Sequence, residues 1–333
     1  MIKYLFVLGI IISYSFQSFT QSKPKVYVGF YIKSLKADVK EELVTIDFYY
    51  WYRFKLPKDS ADINNYCDIE YVNGDITMDE VYEQKVIDDQ YYKHGRIKGN
   101  FAFSLDYTNY PFDKQKILIQ IEHAYYTFNQ IELVPDTISY SRSNSDRNFW
   151  GISSDLDSKD ILIQKSYFAV DARIYDTDFG DISLKEKQSS YSRLSYYINF
   201  SRNYIPYTFK FLIPIIIILS LSYLVFFIPA QSLELACSLT VTSLLAAIAF
   251  QWTISDDLPN IGYLTTVDKI FYLAYLLIML AMVQTVWTYN LVKNDREKLA
   301  IKLEIIGRWV FPVIFVGFSL FFILKGIYYV PKI

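Results

Sequence analysis

Hydrophobic residues follow two different patterns along the chain, and the pattern changes near Tyr204. Residues 21–203 carry charges throughout, and their short apolar runs are rich in β-branched and aromatic residues, as in KVYVGFYIKSL. Such runs, separated by turn sequences such as Asn73-Gly74, are typical of β-strands. The predicted strands are 25–35, 43–55, 101–105, 116–123, 131–133, 166–175 and 192–202. This part is therefore predicted to be an all-β, immunoglobulin-like sandwich.

Residues 204–333 contain four apolar segments that are long enough to cross a bilayer, at 207–228, 233–254, 267–289 and 309–330. The connection predicted at 290–308 holds five basic residues against three acidic ones. This basic excess predicts that the connection lies in the cytoplasm. The β-domain then lies on the other side of a cell membrane, joined to a four-helix transmembrane domain.

The first twenty residues are predicted to be a secretory signal. Lys3 precedes an apolar run at 5–12, and the small residues Ser18 and Thr20 suit cleavage near Gln21. An additional membrane span is the alternative, although the apolar run is short for one. A signal would export residues 21–203, which agrees with the topology that the basic loop predicts.

Composition narrows the possible functions. The net charge of −2 does not suggest nucleic acid as a partner. The two cysteines, Cys67 and Cys237, fall in different environments and are not expected to pair. His94 and His123 lack metal-ligand spacing, and no nucleophile or phosphate-binding motif occurs, so no enzyme activity, metal or cofactor is predicted.

The second apolar segment has a polar stripe. At about 100° per residue, six residues fall within an arc of about 80°; they are Glu234, Ser238, Thr242, Leu245, Ala249 and Trp252. A carboxylate, two hydroxyls and an apolar constriction are typical of a pore that selects monovalent cations at Glu234 and closes at Leu245. One helix cannot enclose water, so the stripe predicts a ring of subunits. Ordinary helix packing and a carboxylate at headgroup level are the alternatives.

The segment from Tyr110 to Gln115, with the sequence YPFDKQ, resembles the signature loop of pentameric ligand-gated ion channels, the Cys-loop receptor superfamily. In animal members two cysteines bracket this loop. Phe103 and Ile117 stand there in this chain, so it resembles the prokaryotic type that lacks the disulfide. Further similarities follow in order at Arg202-Asn203-Tyr204, Pro214, Leu258-Pro259, Tyr263, Arg308 and Phe311-Pro312.

The resemblance implies a homopentamer, made with four further copies of the chain, in which a signal passes from the β-domain to the pore. It implies that Asp113 and Asp38 lie near Arg202 at the domain junction. The other residues implied in this coupling are Pro111, Phe112, Pro259 and Tyr263. A static ion-pair cluster that only holds the domains together is the alternative.

The resemblance also implies an agonist site between adjacent subunits. The candidate residues are Tyr71, Tyr126, Tyr175 and Phe179 on one side, with Trp51 and Arg53 on the other. An aromatic box would hold an amine, whereas Arg53 would suit a carboxylate. Protons are a further candidate agonist. A different class of function also stays open, in which the β-domain binds a ligand or partner on a four-span anchor that does not conduct; such an anchor would not need the polar stripe.

Overall fold

The computed structural model describes residues 23–38, 41–56, 66–103, 105–140, 149–156, 161–180, 182, 188–256, 258–259 and 261–328. The predicted signal at 1–20 lies outside these residues. The described part contains two sheets followed by four long helices, which confirms the predicted fold class.

The two sheets form the β-sandwich. The first has five strands in the order β4-β5-β2-β1-β7, and the second has four in the order β3-β6-β9-β8. The nine strands are β1 Lys25–Asp38, β2 Leu43–Lys55, β3 Ile69–Tyr71, β4 Gly74–Ile87, β5 Gln90–Ala102, β6 Lys114–His123, β7 Glu132–Pro135, β8 Ile161–Tyr175 and β9 Ser189–Arg202.

Alternation along the strands builds the core of the sandwich. In β2 every second residue from Val44 to Phe54 is buried. The ring of Phe30 lies 5.3 Å from that of Phe48 in its own sheet and 5.7 Å from that of Tyr196 in the opposite sheet. These aromatic contacts pack the inner faces of the two sheets against each other.

The hairpin of β4 and β5 was not predicted. In this part of the chain the sequence predicted only a strand at 101–105. Residues of β4 after Thr77 alternate little because the strand lies at the sheet edge and most of its side chains are exposed. β5 ends at Ala102. An edge strand that buries few residues lacks the period-two pattern on which the prediction depended.

The membrane domain consists of α1 Tyr204–Tyr223, α2 Leu233–Ser255, α3 Thr266–Lys293 and α4 Glu297–Ile327. A short 3₁₀ turn, Leu224–Phe227, follows α1. All four helices are apolar and long enough to cross a membrane. The predicted loop at 290–308 is largely helical instead, since α4 begins at Glu297. With 31 residues α4 exceeds the thickness of the hydrocarbon layer, so its charged first turns can extend beyond it.

Candidate functional site

A buried ion pair lies where the sandwich meets the helices. The Arg202 Nε donates to both carboxylate oxygens of Asp113 at 3.1 Å, and the Asp113 side chain is fully buried. Gln115 Nε2 also donates to Asp113, at 2.6 Å. The guanidinium of Arg202 lies over the rings of Tyr107 and Tyr110, at 5.9 and 5.5 Å. The carboxylate therefore has charge-assisted partners on two sides.

The segment 105–113, here called the junction loop, packs onto the ends of the helices. The backbone N–H of Tyr107 donates to the hydroxyl of Tyr263 at 3.0 Å, just before α3. The ring of Phe112 lies 5.3 Å from that of Tyr204 at the start of α1. A Cβ atom placed on Gly326 would lie 2.8 Å from Phe112, so α4 approaches the loop closely only because residue 326 is glycine. Two helices and the segment before α3 thus contact one loop.

The other predicted coupling residues lie at the same junction or near it. Asp38 is exposed at the end of β1, where its Oδ1 accepts a hydrogen bond from the Glu41 backbone N–H at 3.2 Å. Pro111 is buried within the junction loop. Pro259 and Tyr263 line a groove beside the outer end of α2. The structure brings Asp113 and Arg202 together, and the implied position of Asp38 near Arg202 stays a prediction.

All six residues of the predicted polar stripe lie on an uncovered face of α2. Glu234, Ser238, Thr242 and Ala249 are exposed, and Leu245 and Trp252 are 62% and 74% exposed. The buried residues on the opposite face are Ala236, Thr240, Ser243 and Ala247. Small and hydroxyl side chains therefore allow α2 to pack closely on its own subunit, and the stripe faces away.

The outer end of α2 is tied to α3 by polar contacts. Gln251 donates to Asp268 at 2.9 Å and accepts from the hydroxyl of Tyr275 at 2.5 Å. Asp268 also accepts from the backbone N–H of Thr265, at 2.9 Å, in a capping box that begins α3. The end of α2 that carries Trp252 is thus linked to α3, which begins three residues after Tyr263.

Two of the predicted agonist residues join a polar cluster that the sequence did not reveal. The Tyr175 hydroxyl lies 3.1 Å from Glu122 Oε2 and 3.0 Å from Arg193 Nη2, and Arg193 Nε donates to Glu122 at 2.5 Å. Phe179 and Tyr191 pack against Tyr175, at 5.4 and 6.0 Å between rings. Burial raises the pKa of Tyr175, and the Glu122 carboxylate adds to the increase, so the hydroxyl stays protonated. A carboxylate within the otherwise uncharged run ILIQIE of β6 was the available signal.

Two other predicted agonist residues pack among the chain's own aromatics. The Tyr71 hydroxyl lies 3.0 Å from that of Tyr52, and its ring lies 6.0 Å from that of Phe48, inside the sandwich. These contacts turn part of the Tyr71 side chain toward the core, and its role at an agonist site stays a prediction. Tyr126 packs on Tyr66 at 5.2 Å, with an exposed edge that leaves its predicted role open.

Trp51 and Arg53, predicted for the other side of the agonist site, share the buried carboxylate of Asp136. Arg53 binds it through Nε and Nη2 at 2.9 and 2.8 Å, and Trp51 Nε1 donates to it at 2.9 Å. Ser139 donates at 2.6 Å. In the single chain the guanidinium of Arg53 therefore binds Asp136, and its role at an agonist site stays a prediction.

Asp136 provides a prediction about pH. Burial alone would raise its pKa, but hydrogen bonds from Arg53, Ser139 and Trp51 outweigh burial and hold the pKa below its usual value. A lowered pKa stabilises the fold above the unfolded value of about 4, and this contribution disappears as the pH falls through the folded value. We expect Asp136→Asn to lower the free energy of unfolding by about 2 kcal/mol at neutral pH.

The deficit of Asp136→Asn should be the same at pH 7 and pH 5 and should shrink below about pH 4. Denaturant unfolding of the full-length protein in detergent, followed by tryptophan fluorescence, measures it. Asp155→Asn, at an exposed aspartate, is the matched control and should have little effect. A deficit that halves between pH 7 and pH 5 would contradict the lowered pKa.

Known proteins show similarity along much of the chain. Residues 211–302 match the family model described as the neurotransmitter-gated ion-channel transmembrane region. The chain is 26% identical over 220 residues to a proton-gated ion channel of Gloeobacter violaceus, covering 66% of this chain and 55% of that one. It is 22% identical over 200 residues to the 5-hydroxytryptamine receptor 3A of Cavia porcellus, covering 59% and 37%. It is 24% identical over 195 residues to a gamma-aminobutyric acid receptor subunit beta of Lymnaea stagnalis, covering 57% and 34%.

A β-sandwich docked on four membrane-length helices defines a multi-pass membrane protein whose N-terminal domain is extracellular. The chain is thus similar, in its transmembrane region and over more than half of its length, to ion channels of the Cys-loop superfamily, which are not enzymes. The bracketing positions Phe103 and Ile117 are buried apolar residues, and Cys67 and Cys237 are free thiols. The chain spans about half the length, or less, of the relatives it matches.

Proposed function

We propose that the protein is a homopentameric, cation-selective channel whose pore is lined by α2 and whose opening is controlled from the β-domain. The observation that carries this proposal is the uncovered face of α2. In an isolated chain the polar side chains of this face would contact lipid. Such contact costs free energy, because lipid does not hydrate or pair these groups. In a ring of copies with these faces turned inward, the same residues contact water and each other.

The order of residues along this face supports cation conduction. Glu234, in the first turn of α2, would form a carboxylate ring at the cytoplasmic mouth, and Ser238 and Thr242 would add two rings of hydroxyls. A ring of carboxylates concentrates cations and repels anions. Leu245 would follow as the apolar constriction, with Ala249 and Trp252 beyond it toward the β-domain.

Control from the β-domain is supported by the junction loop, which contacts α1, α4 and the segment before α3 at once. A change in the sandwich that moves this loop would move the helix ends with it. The agonist is either a small molecule bound near Tyr175 and Phe179 or the proton, which one relative's name associates with gating. The lowered pKa of Asp136 argues against this carboxylate as a sensor of mild acidity.

Reversal potentials in asymmetric NaCl test the proposal. Full-length protein in planar bilayers, exposed to acidic pH and to a panel of small amines and amino acids, should conduct and reverse near the sodium potential. Glu234→Gln should reduce the sodium-to-chloride permeability ratio by about tenfold, which corresponds to about 1.4 kcal/mol, because the carboxylate ring is lost.

Glu297→Gln removes an exposed acid at the cytoplasmic end of α4 and is the matched control, expected to leave the ratio unchanged. Reversal near the chloride potential in the unmodified protein would overturn cation selectivity. Absence of current from a correctly assembled protein under all conditions would favour the anchor that does not conduct.

A further inference from the structure

His123 lies at the end of β6 and holds the segment that follows it. It is one of two histidines in the chain, and it is 1% exposed. Its Nδ1 accepts hydrogen bonds from the backbone N–H groups of Tyr125 and Tyr126, at 3.1 and 3.0 Å. A ring nitrogen that accepts carries no proton, so the neutral ring has its proton on Nε2. Residues 124–127, here called the His123 turn, therefore depend on an unprotonated Nδ1.

A second proton on the ring of His123 would reverse the hydrogen bonding at Nδ1. An imidazolium is a donor at both nitrogens, so its Nδ1–H would point at two backbone N–H groups. Both amides would then lose their acceptor, which costs free energy. Burial also opposes the charged ring, because its side chain has almost no contact with water. The closed turn therefore excludes the second proton, and binding of this proton requires the turn to open.

Charged residues flank the ring on both neighbouring strands. On the side of β3 these are Asp68 and Glu70, which are exposed and therefore hydrated. Glu122, the residue before His123, pairs with Arg193 of β9, so these two charges largely cancel at the ring. Hydrated and paired charges act weakly on a third group. Burial and the two N–H donors therefore dominate and favour the neutral ring.

The His123 turn connects to the residues predicted for the agonist site. The ring of Tyr126, within the turn, lies 4.8 Å from that of His123. Just after the turn, the backbone N–H of Phe128 donates to the Ser190 carbonyl at 2.7 Å. Ser190 precedes Tyr191, whose ring packs on that of Tyr175. Opening of the turn would therefore displace Tyr126 and disturb the start of β9.

We propose that His123 is an acid sensor of the β-domain: a proton that binds Nδ1 opens the His123 turn and displaces Tyr126 at the candidate agonist site. A histidine in the open turn would titrate at about pH 6.5, so the change falls in mild acid. The open form binds the proton and the closed form does not, so the open form gains population as the pH falls below that value. The effect on the pore rests on the proposed function, whereas the opening of the turn does not.

Hydrogen exchange of the full-length protein in nanodiscs, measured by mass spectrometry at pH 7 and pH 5, tests the opening. If only the open turn binds the proton, its population rises by up to about 25-fold between these two values. After correction for the intrinsic effect of pH, residues 124–127 should exchange at least about tenfold faster at pH 5, whereas β2 should not change. Equal corrected rates at the two pH values in the unmodified protein would overturn the proposal.

Two substitutions separate the titration from the hydrogen bonds. Asparagine carries Oδ1 on Cγ, where histidine carries Nδ1, so His123→Asn keeps an acceptor that does not titrate, and the turn should stay closed at both pH values. His123→Gln places the same amide one methylene farther away, so the turn should exchange about tenfold faster than in the unmodified protein at pH 7. His94→Gln removes the other histidine, on β5, and should leave the acid response intact. An acid response that persists in His123→Asn would overturn the proposal.

A direct observation of the ring keeps the proposal testable if the variants at position 123 fail to fold. Full-length His94→Gln without a polyhistidine tag has a single histidine, whose ¹⁵N-labelled ring solid-state NMR can observe in proteoliposomes. At pH 7 the ring should be the neutral form with its proton on Nε2, and the imidazolium should appear as the pH falls to 5. A proton on Nδ1 at pH 7 would contradict the proposal.

Currents in planar bilayers distinguish this inference from the proposed function. In a conducting protein, the change in current between pH 7 and pH 5 should be lost in His123→Asn and kept in His94→Gln. An unchanged acid response of the current in His123→Asn would overturn the link between the turn and the agonist site. Absence of current from the assembled unmodified protein would count against the proposed function, and the exchange rates would still decide whether the turn opens.

Discussion

Replacing Arg202 by glutamine should lower the free energy of unfolding by about 3 to 5 kcal/mol, which is the cost of breaking a buried ion pair. The Asp113 side chain is fully buried and that of Arg202 is 12% exposed, so the remaining carboxylate cannot recover its hydration. Gln115 still donates to Asp113 but carries no charge. Denaturant unfolding of the full-length protein in detergent gives the difference.

Arg96→Gln is the matched control for this prediction. Arg96 binds Asp47 through two nitrogens at 2.8 and 2.6 Å, but on the open face of the sheet, where the arginine side chain is 25% exposed. The Asp47 side chain keeps 10% of its surface exposed, against none for Asp113. Water can reach the remaining carboxylate there, so the cost should be smaller, about 1 to 2 kcal/mol. A loss for Arg202→Gln no larger than the loss for Arg96→Gln would show that the junction pair is effectively solvated.

A double variant separates the ion pair from the shape of the junction. Asp113→Asn combined with Arg202→Gln removes both charges and keeps two polar side chains of similar size. It should recover most of the stability that Arg202→Gln loses, because an unpaired buried charge costs more than a neutral pair. If the double variant recovers its stability but the channel still does not open, the two charges are needed for opening and not only for holding the domains together.

The sequence predicted those parts of the fold in which one pattern determines the structure. Strand β2 alternates along its length, and the apolar segments of the membrane domain are long. The edge strand β4 buries too few residues to alternate. The first turns of α4 were assigned to a loop because their charges obscured a helical spacing of Leu299, Ala300 and Leu303.

To predict the contacts of the candidate site one needs the register between strands, which a single sequence does not provide. Glu122 and Arg193 are opposite each other on β6 and β9 although 71 residues separate them in the chain. Likewise, the sequence around Arg53 does not indicate that its side chain binds Asp136. The stripe on α2 could be predicted because all of its members lie on one helix, where the period alone fixes their face.

Leu245→Thr should turn a channel that is closed at rest into one that leaks, with a resting conductance about tenfold or more above that of the unmodified protein. Leu245 is 62% exposed in the single chain, so in a ring of copies its side chain would narrow the pore. Leucine rings can stop ions by excluding water without closing sterically. Threonine has less apolar surface and adds a hydroxyl, so water would remain in the constriction.

Sodium flux into liposomes without agonist measures the leak, and Leu320→Thr is the control. Leu320 is 52% exposed on α4, so it has a similar exposure, but it lies on a helix that the proposal turns toward lipid. A leak in both variants would mean that threonine loosens the helix packing generally. A leak in neither, from protein that opens normally with agonist, would move the constriction away from Leu245, and Ala249 or Trp252 would become the next position to test. A leak in Leu245→Thr alone would show that the face left uncovered on α2 is the face that water reaches.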